Sequence, residues 1–364
     1  MTPYRLFYND ILLGSSLSEP DAMYYNATMT EQANAAGKLT FTLPYMHHEL
    51  LTPKPLAGNI RVLVGDDERW RGRVVQIDVD YYGNRTFTCE GALAYFSDIW
   101  YRCKGTDPPE WEDGIIGIGN LLSVYGKSAS AYRSLFAGHI SGVHGIEEPC
   151  EAEHWIYCKA ILQRFLAEVG GYMWMKGPYL NWVTTLGKCT QPCRLGWNMA
   201  GCTAKMDASR VYTVQKAKYT FTPPGEAPVS SYTQTGANSS VYGLIDGDKL
   251  VDLGDVGAYS DTADGREAAD NAALQKLTAM NLPGERGSAD LTITATVFDR
   301  SVLGQGDEPF SLGKMVEAIV PPMGIHEWMQ VKEIKTDLNR PEQSRITLGS
   351  ARKVLTNRLE ERYG

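Results

Sequence analysis

The sequence predicts a mainly β protein with α+β insertions, organised as several domains. Short segments in which apolar and polar residues alternate, each closed by a turn, fill the first 90 residues and return after residue 290. Apolar residues spaced three and four apart, which are typical of helices, are confined to the stretch between them. A chain of 364 residues with 43% hydrophobic content is long enough for two to three domains with buried cores.

The first 90 residues are predicted to form a small barrel or sandwich of short strands. In one strand, Leu39, Phe41 and Leu43 share a face and Pro44 ends the run. In a later strand the period-two spacing of Val75, Ile77 and Val79 predicts a second apolar face. The predicted strands cover residues 5–7, 37–44, 59–64, 69–80 and 85–89, with a turn at 82–84.

The middle of the chain is predicted to be mixed. The strongest helical pattern covers residues 151–169, where Trp155, Cys158 and Leu162 recur at helical spacing before Gly170. Weaker helical patterns cover 92–99 and 129–140, and a hairpin is predicted over 172–182.

The last part is predicted to return to strands after one more helix. A strand over 210–222 is followed by a predicted loop over 222–240, which is rich in Pro, Gly, Ser and Thr. A helix over 264–281 closes at Pro283. The remaining predicted strands cover residues 290–298, 315–320, 328–338 and 344–348.

Composition argues against several functional classes. The formal charge of −8 disfavours binding to nucleic acid through phosphate neutralisation. No run approaches the roughly 18 apolar residues of a membrane helix, and the N-terminal residues do not resemble a secretory signal. Seven cysteines in a chain of this length fit a protein that folds in a reducing cytoplasm.

Two groups of side chains were considered as metal ligands. His139 and His144 are five residues apart, a spacing that does not direct both rings at one ion. Cys189, Cys193 and Cys202 form a cluster without a second C-x2-4-C pair. Zinc binding, a disulfide and free thiols remain open for these cysteines, and free thiols are the expectation.

Other motifs also lack the context that their chemistry requires. Asp246-Gly247-Asp248 resembles a turn because the rest of a calcium loop is missing. The glycines of residues 114–119 do not follow a strand that would make them a phosphate loop, and no nucleophile elbow occurs. The sequence therefore predicts no enzyme, and no catalytic, cofactor-binding or metal-binding residues.

Three groups of segments, in this order, resemble a known family. The first includes the stretch from Asp80 through Gly91 to Phe96, and the second the motif Tyr179-Leu180-Asn181-Trp182. The resemblance is to the N-terminal structural region of bacteriophage tail-associated proteins, also called phage minor structural protein or prophage tail endopeptidase, and through it to baseplate hub proteins. The segments are 39–44, 51–53, 60–62, 70–74 and 80–96; 179–182 and 207–214; 309–316, 320–324 and 344–350.

The resemblance implies a hub-like fold with two pseudo-equivalent small β-barrels. It implies a homotrimer at the virion tail tip, assembled in the host cytoplasm beneath a distal tail ring. Tape measure protein and receptor-binding or tail fibre proteins would be its partners. The domains implied are 1–90, first barrel; 91–186, central mixed α/β; 187–230, start of the second barrel; 231–287, α+β insertion; and 288–364, remainder of the second barrel and tail.

Two features differ from the family pattern. Many relatives continue into a peptidase or lysozyme-like domain, whereas this sequence ends at Gly364, so we expect no lytic activity. A helix bearing an asparagine is only approximated by Leu135 to His139. The alternatives to a tail-tip hub are a tail-associated cell-wall hydrolase and the hub of a contractile injection particle.

Three copies would carry a formal charge of −24. The acidic side chains would either line a lumen and repel DNA or form a solvated exterior.

Overall fold

Seven strands form the N-terminal part of the chain in the computed structural model. Leu39, Phe41 and Leu43 are fully buried as predicted, and Phe41 stacks on Phe87 with ring centroids 5.0 Å apart. The structure describes residues 4–16, 23–103, 115–116, 119, 121–122, 134–141, 146–147, 154–207, 212–236, 243–247, 250–279, 290–303 and 307–349. The seven strands are β1 (Tyr4–Tyr8), β2 (Ile11–Ser15), β3 (Tyr25–Gln32), β4 (Lys38–Leu43), β5 (Ile60–Val64), β6 (Asp67–Val79) and β7 (Arg85–Gly91).

The central part contains a 3-10 helix (Ala92–Ser97), seven short strands and helix α1 (Cys158–Glu168). Leu162 of α1 and Trp182 are buried in one apolar cluster with the 3-10 helix. The strands are β8 (Trp100–Cys103), β9 (Ile115–Ile116), β10 (Phe136–Ser141), β11 (Ile146–Glu147), β12 (His154–Tyr157), β13 (Tyr172–Lys176) and β14 (Tyr179–Val183).

The C-terminal part contains ten strands and helix α2 (Ala263–Ala279). The predicted helix over 264–281 is confirmed over its described residues. The strands are β15 (Gly187–Lys188), β16 (Cys193–Arg194), β17 (Met199–Asp207), β18 (Val214–Phe221), β19 (Val229–Gly236), β20 (Val251–Asp255), β21 (Asp290–Val297), β22 (Lys314–Val320), β23 (Ile325–Asp337) and β24 (Arg345–Gly349).

Fourteen of these strands form one curled sheet. Its main path runs β17-β21-β24-β23-β3-β4-β7-β6-β5-β1-β2, and β22 pairs with β23, β15 and β16. Strands from both ends of the chain therefore share a sheet, joined where β23 pairs with β3. The predicted mainly β fold with α+β insertions is confirmed.

The two halves of this sheet repeat one strand order. β3 to β7, taken in chain order, lie in the sheet as β5-β6-β7-β4-β3. β17, β21, β22, β23 and β24 lie as β22-β23-β24-β21-β17, which is the same permutation. We call these sets the N-terminal module (β3–β7) and the C-terminal module (β17 and β21–β24). The resemblance implied two pseudo-equivalent small β-barrels, and these two sets are their counterparts within one curled sheet.

Contacts divide the chain into two compact units. The first comprises residues 1–203 and 293–356 and holds most of the large sheet. The second comprises 204–292 and 357–364, and its described core packs α2 against the β19-β18-β20 sheet. Neither described helix is long and apolar enough to cross a lipid bilayer.

Three predicted elements are wrong. The helix predicted from residue 151 begins only at Cys158, because residues 154–157 form β12 and pair with β8. Residues 136–140, predicted as helix, form β10 beside β14. The predicted loop over 222–240 contains β19, which pairs with β18 along its whole length.

The predicted apolar face of β6 is also wrong in part. Val75 is 39% exposed and Val79 is 58% exposed, whereas Ile77 packs against the core. The β6–β7 register shifts between Val74 and Gln76, so Val75 is a bulge residue and the alternation changes there.

Candidate assembly interface

The two long strands, β6 and β23, occupy equivalent places in their modules. Each has 13 residues. The first half of β6 pairs with β5 and the second half with β7. The first half of β23 pairs with β22 and the next stretch with β24. Each long strand thus joins the strand before it and the strand after it.

A β-bulge at the same place aligns the two strands residue by residue. In β23 the register with β24 shifts between Val331 and Glu333, which leaves Lys332 in the position that Val75 has in β6. The three residues before each bulge are buried in both strands. In both, the middle one is polar: Arg73 is 7% exposed and Gln330 is 3% exposed. A matching bulge and burial pattern indicate a structural repeat with little sequence identity.

Arg73 is the centre of a buried ion-pair network in the N-terminal module. Its Nε donates to Glu90 Oε1 at 2.7 Å, and its Nη2 donates to Asp98 Oδ1 at 2.9 Å. The guanidinium also lies 5.3 Å from the ring centroid of Tyr95. Burial lowers the pKa of Arg73, but the hydrogen bonds to Asp98 and Glu90 outweigh it and raise the pKa overall. The network ties β6 to β7 and to the residues after it.

The second halves of the long strands differ in what covers them. β3 pairs with β23 from Glu333 to Asp337, and Thr336 there is 6% exposed. In β6 the loop between β4 and β5 contacts Val74, whose carbonyl accepts from the Leu56 N–H at 2.9 Å. Beyond it, within the described residues, the second half of β6 pairs with β7 alone. Val79, the equivalent of Thr336, is exposed.

The turn that follows β6 presents two tyrosines on a rigid support. Tyr81 is 95% exposed and Tyr82 is 75% exposed. Asp80 Oδ1 accepts from the backbone N–H groups of Tyr82 and Asn84, both at 2.9 Å. A side-chain hydrogen bond from Asn84 is the main cause of the lowered pKa of Asp80. Exposed aromatic groups beside an open strand are typical of protein interfaces.

A second strand edge without a described partner lies at the end of the sheet. Among the described strands, β17 is terminal in the main path and neighbours only β21 there. Residues 203–206 of β17 are exposed, and Met206 is 72% exposed. Lys205 Nζ lies 3.1 Å from Asp207 Oδ2. An open strand edge offers backbone donors and acceptors to another chain.

The cysteines that the sequence singled out lie in packed surroundings. Cys189 and Cys193 are buried, and Cys202 is half-buried. Burial raises the pKa of Cys193 to about 12, with a further contribution from Cys202. Burial also raises the pKa of Cys189 and of Cys202. These pKa values favour protonated thiols at neutral pH.

The other candidates are described only in part. His139 lies on β10, whereas His144 is outside the described residues. Asp246 makes an ion pair with Lys216 at 2.8 Å, and Asp248 is not described. Of residues 114–119, only 115–116 and 119 are described. In the described parts of the chain, no three His, Cys, Asp or Glu side chains converge in an arrangement that would hold a metal ion.

Glu31 is a shifted carboxyl that sequence reasoning missed. It lies on β3 opposite Ile334 of β23 and faces a cavity of about 90 Å³ that Arg69 and Asp299 also line. Burial raises the pKa of Glu31 to about 7, although Arg69 and Lys176 oppose the rise. No motif marks this residue, because its burial comes from a strand some 300 residues away in the chain.

Comparison with known proteins identifies a family for most of the chain. The family description "Prophage endopeptidase tail" matches residues 125–359. A search of curated proteins found no match.

Three solved prophage or tail proteins share the fold over nearly the whole chain. The prophage tail protein gp18 from Listeria monocytogenes EGD-e is 13% identical with a TM-score of 0.52, covering 100% of each chain. The 43 kDa tail protein of prophage MuSo2 from Shewanella oneidensis is 12% identical with a TM-score of 0.52, covering 96% of this chain and 98% of that one. The tail protein from Neisseria meningitidis MC58 is 12% identical with a TM-score of 0.54, covering 98% of each. Because the family match extends over more than half of the sequence, this chain belongs to the prophage endopeptidase tail family.

Proposed function

We propose that this protein is the structural hub of a bacteriophage or prophage-derived tail. Three copies form a plug at the tail tip, beneath the distal tail ring, and the plug opens for tape measure protein and DNA. The protein has no catalytic role in this proposal. Receptor-binding or tail fibre proteins attach to the same assembly.

The repeat of two β modules in one chain supports this function most directly. A trimer of such chains presents six similar modules, and a hexameric ring offers six similar docking positions. Without the repeat, a threefold cap would leave half of those positions unmatched. The five-part division at residues 90, 186, 230 and 287 is proposed with it.

Native mass measurement tests the trimer. Three chains of 40.3 kDa give about 121 kDa in light scattering. A stable 40.3 kDa particle across micromolar concentrations would contradict the proposal. Immunogold labelling of virions should place the protein at the tail tip, and labelling elsewhere on the tail would argue against a hub.

A cell-wall hydrolase is the second candidate, favoured by Glu31. A carboxyl with a pKa near 7 beside a cavity is typical of general acids. The strand pairing of β3 with β23 accounts for the same burial without catalysis, so we place this function second. Incubation with peptidoglycan separates the two: muropeptides released by the wild type and lost in Glu31→Gln would overturn the structural proposal.

A further inference from the structure

The junction between the two modules within one chain provides the starting point. There the second half of a long strand (β23) pairs antiparallel with the first strand of the other module (β3) over five residue pairs, from Glu333↔Gln32 to Asp337↔Thr28. This contact joins the two halves into one sheet and buries Thr336.

The equivalents of the two strands in that contact are the second half of β6 and the strand β17, each with an edge to which no described strand pairs. The second half of β6 corresponds to the paired stretch of β23, because the bulges at Val75 and Lys332 set the same register. β17 corresponds to β3, because both come first in their modules and lie last in the repeated strand order. Within the described residues, one such junction is therefore formed in each chain, between β23 and β3, and its counterpart, between β6 and β17, is not.

We propose that the second half of β6 in one copy pairs with the C-terminal half of β17 in a second copy, as β23 pairs with β3. The proposal rests on the trimeric hub proposed above and assigns its subunit interface. The contact is head-to-tail, so it must close into a ring or propagate as a filament. Three copies close a ring of six modules, with alternating intrachain and interchain junctions.

The chemistry of the two edges fits this pairing. Val79 and Met206 offer apolar surface that is 58% and 72% exposed in the single chain. Asp78 is exposed on the second half of β6, and β17 places one opposite charge, the exposed Lys205, beside Asp207 on its own edge. Proteins usually cover or charge open strand edges to prevent promiscuous pairing, and a neighbouring copy is one such cover.

Cysteine cross-linking in a Cys202→Ser background tests the pairing directly. Val79→Cys is combined in turn with a cysteine at residue 203, 204, 205 or 206, followed by mild oxidation and non-reducing electrophoresis. We expect at least one combination to give covalent dimers and trimers, while each single variant stays at the mass of one chain. A cross-link by Val79→Cys alone would indicate symmetric β6–β6 pairing and would overturn the proposal.

A charge at the edge provides a second measurement. Val79→Lys should raise the concentration at which the trimer dissociates by about tenfold or more. Leu250→Lys, at a position that is 56% exposed and belongs to neither strand, should leave this concentration unchanged. Equal thermal midpoints of the two variants at low concentration would exclude misfolding.

The outcomes separate this interface from the proposed function. A wild-type trimer that Val79→Lys leaves intact and that no cysteine pair links would refute the assigned edges but keep the hub. A wild type that stays monomeric would remove both.

Discussion

Changing Glu31 to glutamine should stabilise the protein at high pH and leave it unchanged at low pH. Glu31 is held between β3 and β23, where burial raises its pKa from 4.5 to about 7. Arg69 and Lys176 favour the ionised form but do not offset the loss of water. The folded chain therefore binds a proton at this site more tightly than the unfolded chain does.

The size and sign of the stability change follow from the raised pKa of Glu31. Because the folded pKa lies above the unfolded value, the contribution of the carboxyl to the free energy of unfolding is fully present below pH 4.5. This contribution is lost as the pH rises through 7. A rise of this size corresponds to a ceiling of about 3 kcal/mol at about 1.4 kcal/mol per pH unit. Since the side chain of Glu31 keeps some contact with solvent, we expect about 2 kcal/mol.

Urea unfolding at pH 4.5 and pH 8, at one fixed protein concentration, measures the difference. Glu31→Gln should match the wild type at pH 4.5 and exceed its free energy of unfolding by about 2 kcal/mol at pH 8. Glu327→Gln, an exposed carboxyl on β23, is the matched control and should show no such difference. Equal effects of Glu31→Gln at both pH values, or a less stable variant at pH 8, would refute the reasoning.

Three further predictions concern the core of the sheet, each read from thermal or urea unfolding. Gly72→Ala should lower the free energy of unfolding by about 1–3 kcal/mol, because the added Cβ would collide with Glu90 O and the Trp70 ring. Gly187→Ala, with open space around it, should leave the free energy of unfolding nearly unchanged. Equal losses in the two variants would contradict this. Arg73→Gln should lower the free energy of unfolding by about 1.5–3 kcal/mol by removing a buried guanidinium from two half-exposed carboxylates, against less than about 1 kcal/mol for the exposed Lys216→Gln. Phe41→Ala should cost about 3–5 kcal/mol through the cavity it leaves, and a loss below 1 kcal/mol would show that the core can collapse into it.

The sequence predicted those elements whose own residues mark a buried face or a turn. β4 and β7 show a regular alternation with Phe41 and Phe87 inward, and the β13–β14 hairpin has its turn signal at Gly177. Local patterns suffice for such elements, because the alternation and the turn residues can be read without knowing which strand pairs with them.

Elements that depend on distant partners or on irregular register were missed. Trp155 fits a helical spacing, but β12 pairs with β8, some 50 residues earlier in the chain. The segment of β19 was predicted as a loop because its serines and threonines give no apolar alternation. It forms a strand because β18 supplies its backbone hydrogen bonds. A bulge at Val75 cannot be read from spacing, and it takes Val75 off the face that Ile77 and Val79 share, while Val79 is exposed because only β7 among the described strands pairs with this half of β6.

The candidate interface was unpredictable for the same reason. The repeat that defines it is one of strand order, and the pairs Arg73/Gln330 and Val75/Lys332 share almost no chemistry. The insertion between β17 and β21 also separates the first strand of the C-terminal module from the rest of it. A scan of the sequence for a fixed period therefore finds nothing.

Because β17 and β21 are neighbours in the sheet, the stretch of chain between them leaves and returns at adjacent strands. A segment attached in this way can be shortened, exchanged or replaced by a foreign domain while the strand ladder on either side keeps its partners. The length and content of this segment can therefore change while the strand scaffold stays the same, and the same two strands provide a grafting point for a tag or a foreign domain.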